Sequence, residues 1–346
     1  MSKRVGNHII IPIFIPYQGC TNRCIFCQQW TITNLSENLR TPDDIRNTIE
    51  VALKSKKYLT PGPKEIAFYG GTFTSLPSTA MARMLGAVRL YMEKGIIHAI
   101  RVSTRPDSLD KGKLAILKHY GVATVELGVQ SMDNRILSLA NRGHSAEDTM
   151  NAVQLLKKGG FRVGVQLMPG LPGDSGEVFM DTIDKVIGLK PDMARLYPTL
   201  VIRGTKLAQW YNEGKYTPMG LRETVNLCKE ACIRLEGSGI PVIRIGLMSS
   251  PSLLKEGEII AGPWHPSLGF LVRSTIHLQK VTPYLPAQEE EKAIILRAPQ
   301  KEILLLLGYK KSGLRYLEAI TGSMIKDIIP DDSIASGTVA YKALSF

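Results

Sequence analysis

Short runs of β-branched and aromatic residues punctuate the first 250 residues. They read IIIPIFI (9–15), EIAFYG (65–70), AIRVST (99–104), TVELGV (124–129), RVGVQLM (162–168), MARLYP (193–198) and PVIRI (241–245). Each is short enough for a buried strand. Between them lie segments with helical spacing of apolar positions. TPDDIRNTIEVALKS (41–55) opens on Thr41 as an N-cap, then Pro42 and two acids in the first turn. SAEDTMNAVQLLKKGG (145–160) opens on Ser145 and closes on two glycines. Strand and helix in alternation predict a parallel sheet wrapped by helices, and six or seven such units predict a closed or partial barrel. The expected fold is α/β, a partial (β/α)6-type TIM barrel over residues 1–250, with a small C-terminal extension over 251–346. The extension departs from the pattern: a Gly/Pro-rich loop, AGPWHPSLGFLVRS, then KEILLLLGYKKSGLRYLEAIT.

In such barrels the chemistry collects at the C-terminal ends of the strands. The unusual segments fall there: GGTFT after the second strand, STRPD after the third, GVQS at the fourth, MPGLPGD after the fifth and YPTLVIRGT after the sixth. After the first strand comes GCTNRCIFCQQW, with three of the five cysteines in eight residues, Cys20, Cys24 and Cys27.

Five cysteines in 346 residues make no disulfide framework and point to a reducing cytoplasm. MSKR, the apolar HIIIPIFIP and Cys20 share the outline of a lipoprotein leader. Two prolines and a short apolar run argue against it, and it leaves Cys24 and Cys27 unexplained. No other apolar run approaches membrane-spanning length, so no membrane partner is expected.

The formal charge is +12. Residues 1–250 hold 32 Lys and Arg against 21 Asp and Glu; residues 251–346 hold 11 against 10. The excess is spread thinly, without a basic tail. It fits a basic enzyme or an RNA-facing surface equally well.

Three closely spaced thiols admit several chemistries. A structural zinc site needs a fourth ligand from far away in the chain. A Cys-x-x-Cys redox pair would leave Cys20 idle. A four-iron cluster on three thiolates keeps one iron open for a small chelating ligand.

The spacing C-x3-C-x2-C, with Phe26 before the last cysteine, resembles the signature of the radical S-adenosylmethionine enzymes. The resemblance implies a [4Fe-4S] cluster on Cys20, Cys24 and Cys27 whose open iron takes the amino and carboxylate groups of S-adenosyl-L-methionine. One electron then cleaves that cofactor to methionine and a 5′-deoxyadenosyl radical, which removes a hydrogen atom from substrate. It also implies an external reductant such as ferredoxin or flavodoxin. By the same resemblance Gly70, Gly71 and Thr72 approach the methionine amino group. Gln130 and Arg142 match contacts to the ribose and the methionine carboxylate, and Gln166 a further ribose contact. Ser103 stands where relatives of the anaerobic coproporphyrinogen-oxidase type carry a glutamate.

YGGTFTSLP, RVSTRPD and the stretch from VELGVQSMDNRILSLANRGH to MPGLPGD, with ARLYPTLVIRGTKLAQWYNEGKYTPM, resemble the radical core of the Elongator catalytic subunit over roughly residues 60–220. That family modifies the wobble uridine of tRNA, so the resemblance implies an RNA substrate. Two departures bear on the details. The 96 residues after position 250 are too few for that family's acetyltransferase-like domain, so acetyl-CoA use is not expected. The cysteine triad is also more tightly spaced than in that family. The alternatives are an anaerobic coproporphyrinogen-dehydrogenase-like oxidoreductase acting on a tetrapyrrole or small metabolite, and a non-catalytic Fe–S or haem-handling protein. Cys228 and Cys232 share a helical face and are expected to be core thiols. His144 is expected to cap or pack. In GPWHPS, Trp264 offers a stacking face for a base, and His265 either joins it in stacking on or hydrogen-bonding the substrate or packs the loop. Tyr197 stands at a strand end, facing either the radical or the adenine.

Overall fold

A computed structural model describes residues 9–35, 40–59, 61–288 and 290–344, apart from the side chains of Lys57 and Leu59. The MSKR opening lies outside the described residues. Two compact units form: the chain up to Met219 together with Arg234–Trp264, and Gly220–Ile233 together with the chain from His265 onward.

The first unit holds strands β1 (Ile9–Phe14), β2 (Lys64–Tyr69), β3 (Ala99–Thr104), β4 (Val122–Gln130), β5 (Arg162–Leu167) and β6 (Met193–Leu196). The two-residue β7 (Val201–Ile202) and then β8 (Val242–Ile245) follow. β7 pairs antiparallel with β9 (Ile259–Ala261). The main sheet runs β1-β2-β3-β4-β5-β6-β8, every pair parallel, and curls into a half-barrel. Each expected strand is present within a few residues of its expected bounds.

Strand alternation sorts the side chains. Ile11, Ile13, Ile66, Phe68, Ile100, Val102, Val125, Leu127, Val163 and Val165 are almost wholly buried. Each such side chain contributes about 1.5–3 kcal/mol. From β2 to β6 the intervening face carries polar side chains: Glu65 and Tyr69, Arg101 and Ser103, Glu126 and Gln130, Gln166 and Arg195. The helices start where their caps dictate. Thr41 and Asp44 form a reciprocal capping box at Pro42–Leu53, and Ser145 with Asp148 does the same at Ala146–Lys158.

The second unit carries a three-stranded sheet in the order β11-β10-β12, from β10 (Ala293–Ala298), β11 (Met324–Pro330) and β12 (Ala340–Ala343). Its core includes Leu278, Val281, Ile294, Leu296, Leu306 and Leu317. Cys228 and Cys232 are fully buried, as their helical face implied.

Candidate active site

The loop after β1 is locked to the loop after β2 by backbone. Thr72 N–H donates to the Gln18 carbonyl at 2.8 Å. Gly19, at φ +73°, stands so close that a Cβ would lie 2.2 Å from the Thr72 oxygen. Gly71, at φ +60°, would put a Cβ 2.3 Å from the Gln18 oxygen. Both positions demand glycine, for conformation and for space. Gln29, from the helix that follows the third cysteine, accepts from Gly71 N–H at 2.9 Å and from Tyr17 N–H. Tyr17 donates its hydroxyl to the Cys27 carbonyl at 2.9 Å. Arg23 lies over the Tyr17 ring, 3.7 Å from its centre.

This loop presents Cys20, Cys24 and Cys27 to a cavity of about 430 Å³ inside the half-barrel. All three are free thiols. Cys20 Sγ is 3.5 Å from Thr72 Oγ1 and 4.0 Å from Gln29 Nε2. Cys24 Sγ accepts from Arg142 Nη1 at 3.0 Å. Burial, and after it the neighbouring Cys24, pushes the Cys27 thiol up to about 12. A bare trio of thiolates therefore resists forming here, whereas bound iron supplies the positive charge that favours it. The donor set suits a cluster held by three sulfurs.

The other residues expected at the site line the same cavity: Gly70, Gly71, Thr72, Ser103, Gln130, Arg142 and Gln166. Several present atoms without a protein partner. Ser103 Oγ, Gln130 Oε1 and Arg142 Nε are buried and unpaired. Such atoms cost stability unless a ligand satisfies them. Gln130 has φ +67°, uncommon for a residue other than glycine, at a break in the β4–β5 register. The strained turn aims its amide at the cavity, a common device at functional sites. Gln166 is partly engaged, donating to Glu126 at 3.2 Å. His144 is buried near the carbonyl of Val129, at 3.3 Å, and its other ring nitrogen is unpaired.

A second group went unnoticed in the sequence. On the barrel's inner face, Glu126 accepts from Arg101, and from Arg195 at 2.9 Å. Arg101 also donates to Glu65 at 2.8 Å. Arg195 reaches on to the hydroxyls of Tyr69 and Tyr197, at 2.7 and 3.1 Å. Burial works against the Arg195 charge, but Glu126 and the two phenols outweigh it and hold the guanidinium above its ordinary range. Gly164 makes the room: a Cβ there would sit 2.9 Å from Glu126 Cγ. Tyr69, Arg195, Tyr197 and Arg244 line the cavity, and no acidic side chain does among the described residues. Arg101, Glu126 and Arg195 each sit as a lone charge inside an apolar strand, while Glu65 stands beside Lys64 at the start of β2.

Trp264 departs from expectation. Its ring packs against the apolar group of Leu200, Ile202 and Leu253, where a large indole gains most from burial, and it does not line the cavity. His265 packs edge-on against Tyr309, 4.6 Å between centres.

Residues 14–186 match the model of the Radical SAM superfamily, and residues 191–277 that of the Radical_SAM C-terminal domain. A tRNA uridine(34) acetyltransferase of Methanocaldococcus infernus is 40% identical over 136 residues, 38% of this chain and 26% of that protein. The protein of the same name from Dehalococcoides mccartyi is 31% identical over 249 residues, 63% of this chain and 54% of that one. The chain thus spans about a quarter to a half of the length of these curated relatives. The solved structure of archaeal M. infernus Elp3 with an N-terminal deletion superimposes with a TM-score of 0.61 at 27% identity, covering 80% of this chain and 64% of that one. The first of the two family models alone takes in half of the sequence, from the end of β1 through β5, and the cysteine loop lies within it: the chain belongs to the radical S-adenosylmethionine superfamily, an enzyme family whose [4Fe-4S] cluster and S-adenosylmethionine are its cofactors.

Proposed function

We propose that this enzyme modifies a uridine base of tRNA by radical chemistry. The observation that carries the reading is the match to proteins named tRNA uridine(34) acetyltransferase, which extends over 63% of the chain. A thinly spread excess of 11 positive charges over residues 1–250 suits a sequence-blind hold on phosphates.

In this reading Cys20, Cys24 and Cys27 hold the cluster. The bound cofactors supply one-electron chemistry that opens an unactivated C–H bond. Arg142 offers its unpaired Nε and the remaining guanidinium protons to the methionine carboxylate. The backbone of Gly70, Gly71 and Thr72 meets the methionine amino group. Ser103 and Gln130 present unpaired oxygens to the ribose, and Gln166 a side-chain amide already tied to Glu126. The apolar walls, from Ile10, Pro12 and Phe14 to Leu247, keep bulk water from the reacting atoms. The electron comes from an external donor of the ferredoxin or flavodoxin kind.

The test is 5′-deoxyadenosine release by anaerobically reconstituted protein with dithionite and S-adenosylmethionine, with and without unmodified tRNA. Transfer RNA should raise the output, and RNA binding should weaken steeply with salt. Nucleosides from cells lacking the gene should miss one modified uridine. No RNA affinity at low ionic strength, together with turnover stimulated by a porphyrinogen, would replace this reading with the tetrapyrrole one.

A further inference from the structure

Tyr69 ends β2 and Tyr197 follows β6, with three strands of the sheet between them. Arg195 spans the barrel interior to join the two. Its Nη2 donates to the Tyr69 hydroxyl at 2.7 Å and its Nη1 to the Tyr197 hydroxyl at 3.1 Å. A guanidinium is donor only, so both phenol oxygens act as acceptors in these bonds. Their own protons are left over. Among the described residues neither hydroxyl has a hydrogen-bond acceptor, and both phenols line the cavity that the three cysteines face. Glu126 balances the Arg195 charge from 2.9 Å. What reaches the cavity at this point is therefore a pair of polarised O–H donors with the local charge matched. The same guanidinium keeps one buried nitrogen, Nε, without a partner.

We propose that Tyr69 and Tyr197 form a paired hydroxyl site that recognises the O4 carbonyl oxygen of the substrate base, selecting uracil over cytosine. This rests on the uridine reading above and deepens it. Uracil is neutral and carries two carbonyl acceptors. Cytosine places an amino group, a donor, where uracil has one of those oxygens. Two phenol protons facing an amino group would leave buried donors unpaired. Sites built on hydrogen bonds reject a mismatched analogue much more strongly than apolar pockets do. The tyrosines reach the base; Arg195 and Glu126 are positioning residues that hold the two hydroxyls apart and oriented.

The test uses reconstituted holoenzyme and two transcripts of one tRNA, with uridine or cytidine at position 34. Stimulation of 5′-deoxyadenosine release is read against transcript concentration. Wild type should respond to the uridine transcript and prefer it over cytidine. The double variant Tyr69→Phe/Tyr197→Phe keeps both rings and should lose roughly 10- to 100-fold of that preference. Its affinity for either transcript by filter binding should stay within about twofold, because phosphates dominate RNA affinity. Iron content and the urea midpoint establish that the variant is folded. Should the double variant fail to fold, Tyr197→Phe alone carries the comparison, with a smaller expected loss. Four results overturn the inference. One is equal response to the two transcripts in wild type. Another is an unchanged preference in the folded variant. A third is a matching loss of S-adenosylmethionine affinity, by equilibrium dialysis, which would assign the hydroxyls to the cofactor. If no RNA stimulates wild type at all, the uridine reading fails and the inference falls with it; the first three results leave tRNA as substrate standing.

Discussion

Arg142 places Nη1 3.0 Å from the sulfur of Cys24, while its Nη2 donates to the Gly128 carbonyl at 2.6 Å. One guanidinium thus ties the cysteine loop to the end of β4, and its Nε is buried without a partner. The side chain is held beside the Cys24 sulfur with donor capacity to spare, which suits the cofactor carboxylate of the proposed site. Arg142→Ala should bind S-adenosylmethionine about 10- to 150-fold more weakly, as expected for a charge-assisted bond of about 1.5–3 kcal/mol. It should keep its iron, because the three sulfurs remain. Equilibrium dialysis and iron assay on one preparation separate the two effects. Unchanged affinity would remove Arg142 from the cofactor site.

The cysteine loop makes a sharper prediction. Wild type reconstituted without oxygen should take up about four irons per chain and turn brown. Cys24→Ala should lose most of that iron, because two thiolates do not hold the cube. Zinc at one ion per chain in protein purified anaerobically, with no iron uptake, would count against the cluster.

Gly71 tests whether the loops are interlocked by backbone alone. An added methyl at φ +60° would meet carbonyl oxygens of Gln18 and Ile15 at 2.3 and 2.6 Å. No side chain can swing away there, so the loop itself must shift. Gly71→Ala should reduce both iron retention and cofactor affinity while leaving far-UV circular dichroism close to wild type. Gly95→Ala is the control: φ is +66° there, but nothing lies within 4 Å, so only conformational strain of about 1–2 kcal/mol is added.

Much of this is legible in the amino-acid sequence. The strands announced themselves through β-branched runs, and Thr41 and Ser145 through their capping signals. The cysteine spacing carried the resemblance to the radical S-adenosylmethionine enzymes, and that resemblance implied the chemistry. What stayed hidden depends on juxtaposition. Gln29 is one of a pair of glutamines in sequence, yet its carbonyl oxygen joins Tyr17 to Gly71. Glu65, Arg101, Glu126 and Arg195 lie 25 to 69 residues apart in the pairs that meet. For Arg101, Glu126 and Arg195 the signal is a lone charge in an apolar strand, which marks an inward position only once the sheet is known to curl. Trp264 misled because an aromatic in a Gly/Pro loop reads as a contact surface, while its area is worth more packed against Leu200 and Leu253.

That inward network bears weight of its own. Arg101 and Arg195 are buried and both donate to Glu126. Glu126→Ala leaves two guanidinium groups in the interior with one carboxylate fewer. Removing one member of a buried ion pair costs about 3–5 kcal/mol. Urea unfolding should show a loss of that size. Glu126→Gln, which retains an acceptor, should lose less. A loss below about 1 kcal/mol for the alanine variant would mean that water reaches these arginines.

His144 gives the fold a pH dependence whose sign can be worked out. Burial, with the nearby Arg142 adding to it, lowers its pKa from 6.5 to about 4. The folded protein therefore refuses a proton that the unfolded chain accepts. The stability this contributes is fully present above pH 6.5 and is lost as the pH falls toward 4. Between pH 7.5 and 5 the unfolded chain gains roughly 1.5 pH units of advantage, or about 2 kcal/mol at 1.36 kcal/mol per unit. His144→Asn cannot take up that proton. Carboxylates act alike in both proteins, so the difference between their pH profiles isolates the imidazole. Urea unfolding at the two pH values should show wild type losing about 2 kcal/mol more than the variant. Equal losses would mean that His144 takes up its proton in the folded state at an ordinary pH, with the ring able to turn its unpaired nitrogen to water.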